Sequence, residues 1–461
     1  MSLDVAANIA RQSLIATQSQ IALSGRNVAA ASDPDRSRAY AVTATTVDGG
    51  VAITQIRRAE DAALYATMIR ATASAAERDA VLIGLQELAV TVGDPQDGVS
   101  PAARIGDLRA AIADYANAPD DPLFGKAAVE RAHDLADGLN RAANDVNLLR
   151  ERADQAMAEG VGEVNRLLAE FDAANTAVTR ATALGNDATM DLDRRDGIVS
   201  ELSQYLGVTT LTRENNDMAL FTDGGITLFD KEARSVTMQR TTVFTAATVG
   251  GTVFVDGLPI TGDDAPMPSE GGSIVGWASV RDTHAVTYRL QLDEIARTLT
   301  EVYDDGVGSL FVNAGPPDYA GTLAVNPSVD PAQGGTVENL RDGTGNPSGF
   351  AAYSDRLLQL DDDLGAIAAF DPNAELGANT TVQSFASGSV GWLEGLRSTV
   401  TGQATTERAI LARASDALSR ATGVNMDDEF AQQLEIERNF AASSRLLGII
   451  DDMYESLLRI A

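Results

Sequence analysis

The chain carries an amphipathic helix pattern at each end, and neither pattern is stable without a partner. From Ser2 to about Ala31, apolar and small residues recur at Leu3, Ala7, Ala10, Leu14, Thr17, Ile21, Ser24 and Val28. This is the alternating four-and-three spacing of a coiled-coil seam. Arg11, Gln18, Gln20 and Arg26 occupy the opposite face, and Ala31-Ser32-Asp33-Pro34-Asp35 ends the run, because proline drives the preceding residue out of the α region. The last helix starts at Met426-Asp427-Asp428-Glu429, where acids suit the positive end of a helix. Its seam is Ile436, Phe440, Ser443, Leu447, Ile450, Tyr454 and Leu457. A stripe of this kind is stabilised by packing rather than by propensity. The two ends are therefore expected to pair with each other as a coiled coil, or with neighbouring copies. The assembly seam is Leu14, Ile21 and Val28 from the first helix with Ile436, Phe440, Leu447, Ile450, Tyr454 and Leu457 from the last. Charge favours the pairing. Residues 1–38 carry Asp4, Asp33 and Asp35 against Arg11, Arg26, Arg36 and Arg38, whereas residues 425–461 carry eight acids against three arginines. Exposed ion pairs contribute only about 0–1 kcal/mol each, so the apolar seam must supply most of the energy.

Between the ends, long helical patterns run from about Ile56 to Val92, Lys126 to Leu184 and Val390 to Ala421, with a shorter one at Val286–Tyr303. At about Gly207 the texture changes to Thr-, Val- and Gly-rich runs such as Thr209-Thr210-Leu211 and Thr252-Val253-Phe254-Val255. Turn signals such as Asp223-Gly224-Gly225 separate them, the pattern of a small antiparallel β unit. Asp304–Gly349 is rich in Gly, Pro and Asn and reads as loop and short strand. The expected fold is mainly α with an inserted β domain, elongated and multi-domain. Residues 1–38 and 424–461 would form a terminal coiled-coil assembly domain, 39–206 and 281–423 an elongated helical domain, and 207–280 the β insert.

Composition removes several classes of function. Asp and Glu total 66 against 35 Lys and Arg, a net charge of −31. That opposes binding to nucleic acid or to an anionic membrane surface, both of which need clustered basic charge. There is no cysteine, so disulfides, thiolate metal sites and cysteine nucleophiles are excluded. No apolar run is long enough for a membrane helix. Asp4, Asn8, Arg11 and Gln12 break the pattern of a cleaved signal peptide.

No motif carries chemistry. Asp191-Leu192-Asp193-Arg194-Arg195-Asp196-Gly197 resembles a calcium loop but puts Arg195 at a ligand position and the glycine one place late; it reads as an acidic helix start. Asp361-Asp362-Asp363 reads as a solvated helix end, and Gly343–Gly349 as a turn without the lysine of a phosphate loop. His133 and His284, the only histidines, have no partner at metal-ligand spacing. No catalytic, cofactor-binding or metal residue is expected, and no cofactor.

Several motifs resemble a known family. Gly25-Arg26-Asn27-Val28-Ala29-Ala30-Ala31-Ser32-Asp33-Pro34-Asp35-Arg36-Ser37-Arg38 resembles the stretch that ends the first helix of flagellar axial proteins, with Asn27, Ser32, Pro34, Ser37 and Arg38 in place. Asp35-Arg36 replaces the family's Gly-Tyr. Gly423-Val424-Asn425-Met426-Asp427-Asp428-Glu429 is similar to their G-V-N-L-D-E-E element, and Asp451-Asp452-Met453 to their D-E-M. Asp191–Val208, Gly271-Gly272-Ser273-Ile274-Val275-Gly276 and Leu292-Asp293-Glu294-Ile295-Ala296 resemble internal elements of hook-associated protein 1, the FlgK family. At 461 residues the chain would be a short member.

The resemblance implies a structural subunit, not an enzyme, that forms the junction between flagellar hook and filament. It implies export without a cleaved signal through the type III channel, an extracellular place in the flagellum, and polymerisation through the terminal helices. The implied partners are further copies in a ring, the hook protein, the second junction protein and an export chaperone on the C-terminal helix. Two alternatives stay open: hook-associated protein 3 or a flagellin-like subunit, and a carboxylate-based hydrolase on a helical frame.

Overall fold

The computed structural model describes residues 3–33, 36–92, 98–262, 264–304 and 309–460. Ser2, the Pro34-Asp35 step of the first turn, and Asp305-Gly306 lie outside the described residues. The chain opens with α1 (Leu3–Ala30) and an antiparallel hairpin of β1 (Ala39–Thr45) and β2 (Val51–Arg58). Four helices follow: α2 (Ala62–Val92), α3 (Pro101–Asn117), α4 (Pro122–Ala183) and α5 (Thr189–Leu202). Two small antiparallel sheets come next. One is built from β3 (Val208–Thr212), β4 (Met218–Thr222) and β5 (Thr227–Phe229), the other from β6 (Val236–Met238), β7 (Val253–Val255) and β8 (Leu258–Pro259). α6 (Ser273–Ser279), one π turn (Val280–His284) and α7 (Ala285–Val302) return the chain to the helices. Short pieces lead on: β9 (Phe311–Val312), α8 (Tyr319–Thr322), β10 (Ala324–Val325), α9 (Glu338–Asp342), α10 (Asp355–Leu364), β11 (Ala368–Ala369) and β12 (Asn379–Thr380). The long α11 (Val382–Thr422) and α12 (Met426–Ile460) close the chain.

The body is organised by α4. At 62 residues it is about 93 Å long. Its start is set locally: Pro122 takes the first helical position, and the Asp121 carboxylate accepts a hydrogen bond from the Leu123 amide. Its apolar residues recur at helical spacing and face two cores in succession. The N-terminal half packs Leu135, Leu139 and Val146 with Leu108 of α3, Leu292 and Leu299 of α7 and Phe385 of α11. The C-terminal half packs Val164, Leu168 and Phe171 with Val199 of α5, Leu220 and Val253 of the sheets and Ile274 of α6. Phe171 meets Phe229 edge-on, with ring centroids 4.9 Å apart. Buried arginines hold the long loop between β6 and β7 on this frame. Arg281 pairs with Asp154 and donates to the Gly251 carbonyl, while Arg150 donates to the Thr245 and Thr248 carbonyls beside the Phe244 ring.

The structure corrects the sequence reading at two boundaries. The segment expected to begin the helical domain at residue 39 is a β-hairpin, and Ile56 lies in β2 rather than in a helix. The two-residue-period runs on either side of Asp48-Gly49-Gly50 make strands, and Gly49 turns with φ +88°. The β insert does not reach residue 280. Its last strand ends at Pro259, and α6 begins at Ser273. Gly272 forces that switch: its φ is +97°, and a Cβ there would stand 2.3 Å from the Tyr205 carbonyl oxygen.

Candidate functional site

The two terminal helices pair antiparallel into an arm. Three polar contacts fix the register. Tyr454 donates its hydroxyl to Asp4 at 2.6 Å, the Ser13 and Ser443 hydroxyls meet at 3.0 Å, and Ser24 donates to Glu429 at 2.8 Å. Between them Ala10, Thr17, Ser24 and Leu23 on α1 and Ile436 and Ile450 on α12 are buried. Full burial of one such isoleucine is worth about 1.5–3 kcal/mol. The hairpin lies along α1. Gln12 meets Thr46 at the hairpin tip, and the Asn27 side chain both donates to and accepts from the Ala39 backbone at its base.

Of the expected seam residues, Ile436 and Ile450 are buried and Leu14, Ile21, Val28, Leu447 and Tyr454 are half-buried in the pair. Phe440 and Leu457 are 41% and 54% exposed, and Leu457 borders a groove with Leu3 of α1, Ile449 and Met453. Leu446, Ile449 and Met453 extend the exposed apolar surface on the same flank of α12 as Leu457, and Phe440 and Leu458 lie on the other flank.

At the base of the arm sits a polar node that sequence reasoning took only for a helix start. Glu429 is 1% exposed. Its carboxylate accepts from Ser24, from Asn27 at 3.1 Å and from Arg38 at 2.7 Å, and Arg38 also donates to Gln432. Burying a carboxylate is tolerated only with such compensation. Asn27, Arg38 and Glu429 therefore meet as one unit, and each belongs to a terminal motif singled out in the sequence. No local pattern reveals that contact.

A second charged cluster joins arm to body. Asp193 of α5 is 6% exposed. It accepts from Arg58 at 2.9 Å and from the Ser37 backbone amide at 3.4 Å, and Arg36 lies 3.7 Å away. Arg58 also pairs with Asp196, and Arg26 on α1 pairs with Asp187 at 3.0 Å. Burial pushes the Asp193 carboxyl up, and the opposing pull of Arg58 does not cancel it. Burial would also raise Asp187, but hydrogen bonds from Thr189 and the Arg26 charge bring it below the usual carboxylate range. α5 is itself fixed to α4, because Arg195 donates to Asn175 at 3.1 Å.

The remaining sequence candidates carry structural roles. Asp191–Gly197 is helical, within α5. Asp361 at the end of α10 pairs with Arg109, and Asn346 bonds Asp342 and Phe350 within the Gly343–Gly349 turn. His133 faces Asp330 at 3.2 Å, and half-buried His284 faces Ser279 at 3.3 Å. Among the described residues no three His, Cys, Asp or Glu gather as a metal site, and no helix is long and apolar enough to cross a membrane.

Comparison with known proteins bears on this geometry. Residues 85–305 match the family described as flagellar hook-associated protein FlgK helical domain. Residues 418–460, which hold α12 and the Glu429 node, match the family described as flagellar basal body rod FlgEFG protein C-terminal. The first match takes in just under half of the chain, and the second adds its C-terminal helix. Both matches are to flagellar families, and the larger is consistent with a FlgK-family hook-associated protein. The two matches support a structural component of the flagellum rather than the hydrolase alternative. No curated protein matches the chain. Among solved structures, the flagellar hook junction protein FlgK from Burkholderia pseudomallei is similar at 21% identity and a TM-score of 0.46. The likeness covers 55% of this chain and 47% of that one, so the chain spans about half the length of that protein.

Proposed function

We propose that this chain is a FlgK-family subunit of the hook–filament junction, exported unfolded and polymerised outside the cell through its terminal arm. One observation carries the reading. With α1 already seated on α12, one flank of α12 still exposes Leu446, Ile449, Met453 and Leu457, beside Leu3 of α1. A row of this kind on a folded chain marks an interaction surface. On α1 the exposed face presents Arg11, Ile15 and Gln18, so the basic first helix of one copy suits the acidic last helix of the next. A ring of copies would cover both faces, and before export a chaperone would cover the α12 row. The hook protein and the second junction protein would meet the ring at its two ends. In this reading residues 1–38 and 424–461 form the assembly domain, and the rest is body and insert. Hooks stripped of caps and junction proteins test it. Labelled protein should add at the distal tip as seen by electron microscopy. Addition only after another junction protein would move it to the second layer, as the hook-associated protein 3 alternative requires, and no addition in either case would overturn it.

A further inference from the structure

We propose that Asp193 is a positioning residue that sets the direction of the terminal arm on the body, so that the arm turns at this joint when the carboxylate is lost. The two apolar cores include no residue of α1, α12, β1 or β2. The arm therefore has no shared core with the body to hold its angle. The joint is made instead by charge. Arg26, Arg36 and Arg58 come from the arm, its connector and the end of the hairpin, and Asp187, Asp193 and Asp196 come from α5 and the turn before it. Asp193 is the central group, because one carboxylate engages both the connector between α1 and β1 and the end of β2 where the chain enters the body. One oxygen takes Arg58, and the other takes the Ser37 amide with Arg36 nearby. Two ties in different directions fix an angle, whereas one tie leaves a rotation free. Asp187 and Arg26 are both partly open to water, and such pairs are weak. Arg58 and Asp193 are 8% and 6% exposed, which preserves their attraction from screening. The backbone bond from Arg38 to the Thr422 carbonyl holds the base of the arm in place as a pivot without fixing its angle.

The chain has no cysteine, so paired cysteines can be introduced for spin labels without background. In the full chain, labels at the exposed positions Ala169 and Ser444 report arm against body, and labels at the exposed positions Asn144 and Thr209 report the body alone. Asp193→Asn should at least double the width of the Ala169–Ser444 distance distribution, leave Asn144–Thr209 unchanged and leave helical circular dichroism unchanged. Asp187→Asn should broaden the arm distribution much less, and Asp193→Glu should restore most of the parent width. An arm distribution for Asp193→Asn equal to the parent overturns the proposal. So does broadening of both pairs together, which would make Asp193 a support of the body fold rather than of the arm angle.

Discussion

The Asn27 carboxamide and the Glu429 carboxylate stand 402 residues apart in the chain and 3.1 Å apart in space. Asn27 simultaneously holds Ala39 at the base of the hairpin, so one contact aligns first helix, hairpin and last helix. Replacing Glu429 by alanine removes the acceptor shared by Ser24, Asn27 and Arg38, a loss of about 1–3 kcal/mol. Amides of α1 and α12 should exchange with solvent roughly tenfold faster or more, while amides in the middle of α4 keep their rate. Hydrogen exchange read by mass spectrometry checks this.

The buried centre of the arm is open to a sharper test. Ile450 is 5% exposed against α1, and an aspartate there would be an unpaired buried charge. Ile450→Asp, and Ile21→Asp towards the other end of the pair, should abolish polymerisation on hook tips. The melting transition of the body should stay within about 2 °C of the parent. Normal filaments from either variant would refute the role assigned to the seam.

Gly272 tests the boundary between insert and helices. Alanine at this position would take a strained positive φ and drive its Cβ against the Tyr205 carbonyl and the Leu206 Cα. Gly272→Ala should destabilise the body by about 2 kcal/mol or more, measured as a lowered urea midpoint with an unchanged m-value. Gly162→Ala, where a Cβ meets nothing within 4 Å, should be neutral or slightly stabilising.

Acid should weaken the body through His284. Burial lowers its pKa below the ordinary 6.5, and Glu375 opposes that only in part. The unfolded chain then binds the proton first. His284 thus contributes stability that is fully present above pH 6.5 and is lost as pH falls towards its folded value, with a slope of at most about 1.4 kcal/mol per pH unit. Melting temperatures between pH 7.5 and 5.5 should fall in the parent and flatten in His284→Asn.

The elements legible from sequence were those with long periodic patterns. α1, α4, α11 and α12 follow apolar spacings sustained over many turns, and Leu135 to Val178 of α4 point into the cores as that spacing requires. The hairpin was missed because two strands of seven and eight residues offer little alternation beside a 31-residue helix. Asp48-Gly49-Gly50 between β-branched runs was the available signal. Glu429 was hidden by a sufficient alternative explanation, since an acid at a helix start is favourable whether or not it is buried. The joint had no local signature at all. Arg58 and Asp193 are 135 residues apart, and a charge pair over that separation is fixed by tertiary packing. From sequence the motif around Asp193 reads as an acidic helix start and as a family element, and neither reading names a partner.

The uninterrupted α4 is a ruler. Both cores are bolted to one rigid rod of about 93 Å, so changes in the loops can alter the girth of the body but not the distance between its two halves. A four-residue insertion in the middle of α4, which keeps roughly the same face towards the cores, would still part them by about 6 Å. Every long-range tie made across both halves would then be out of step.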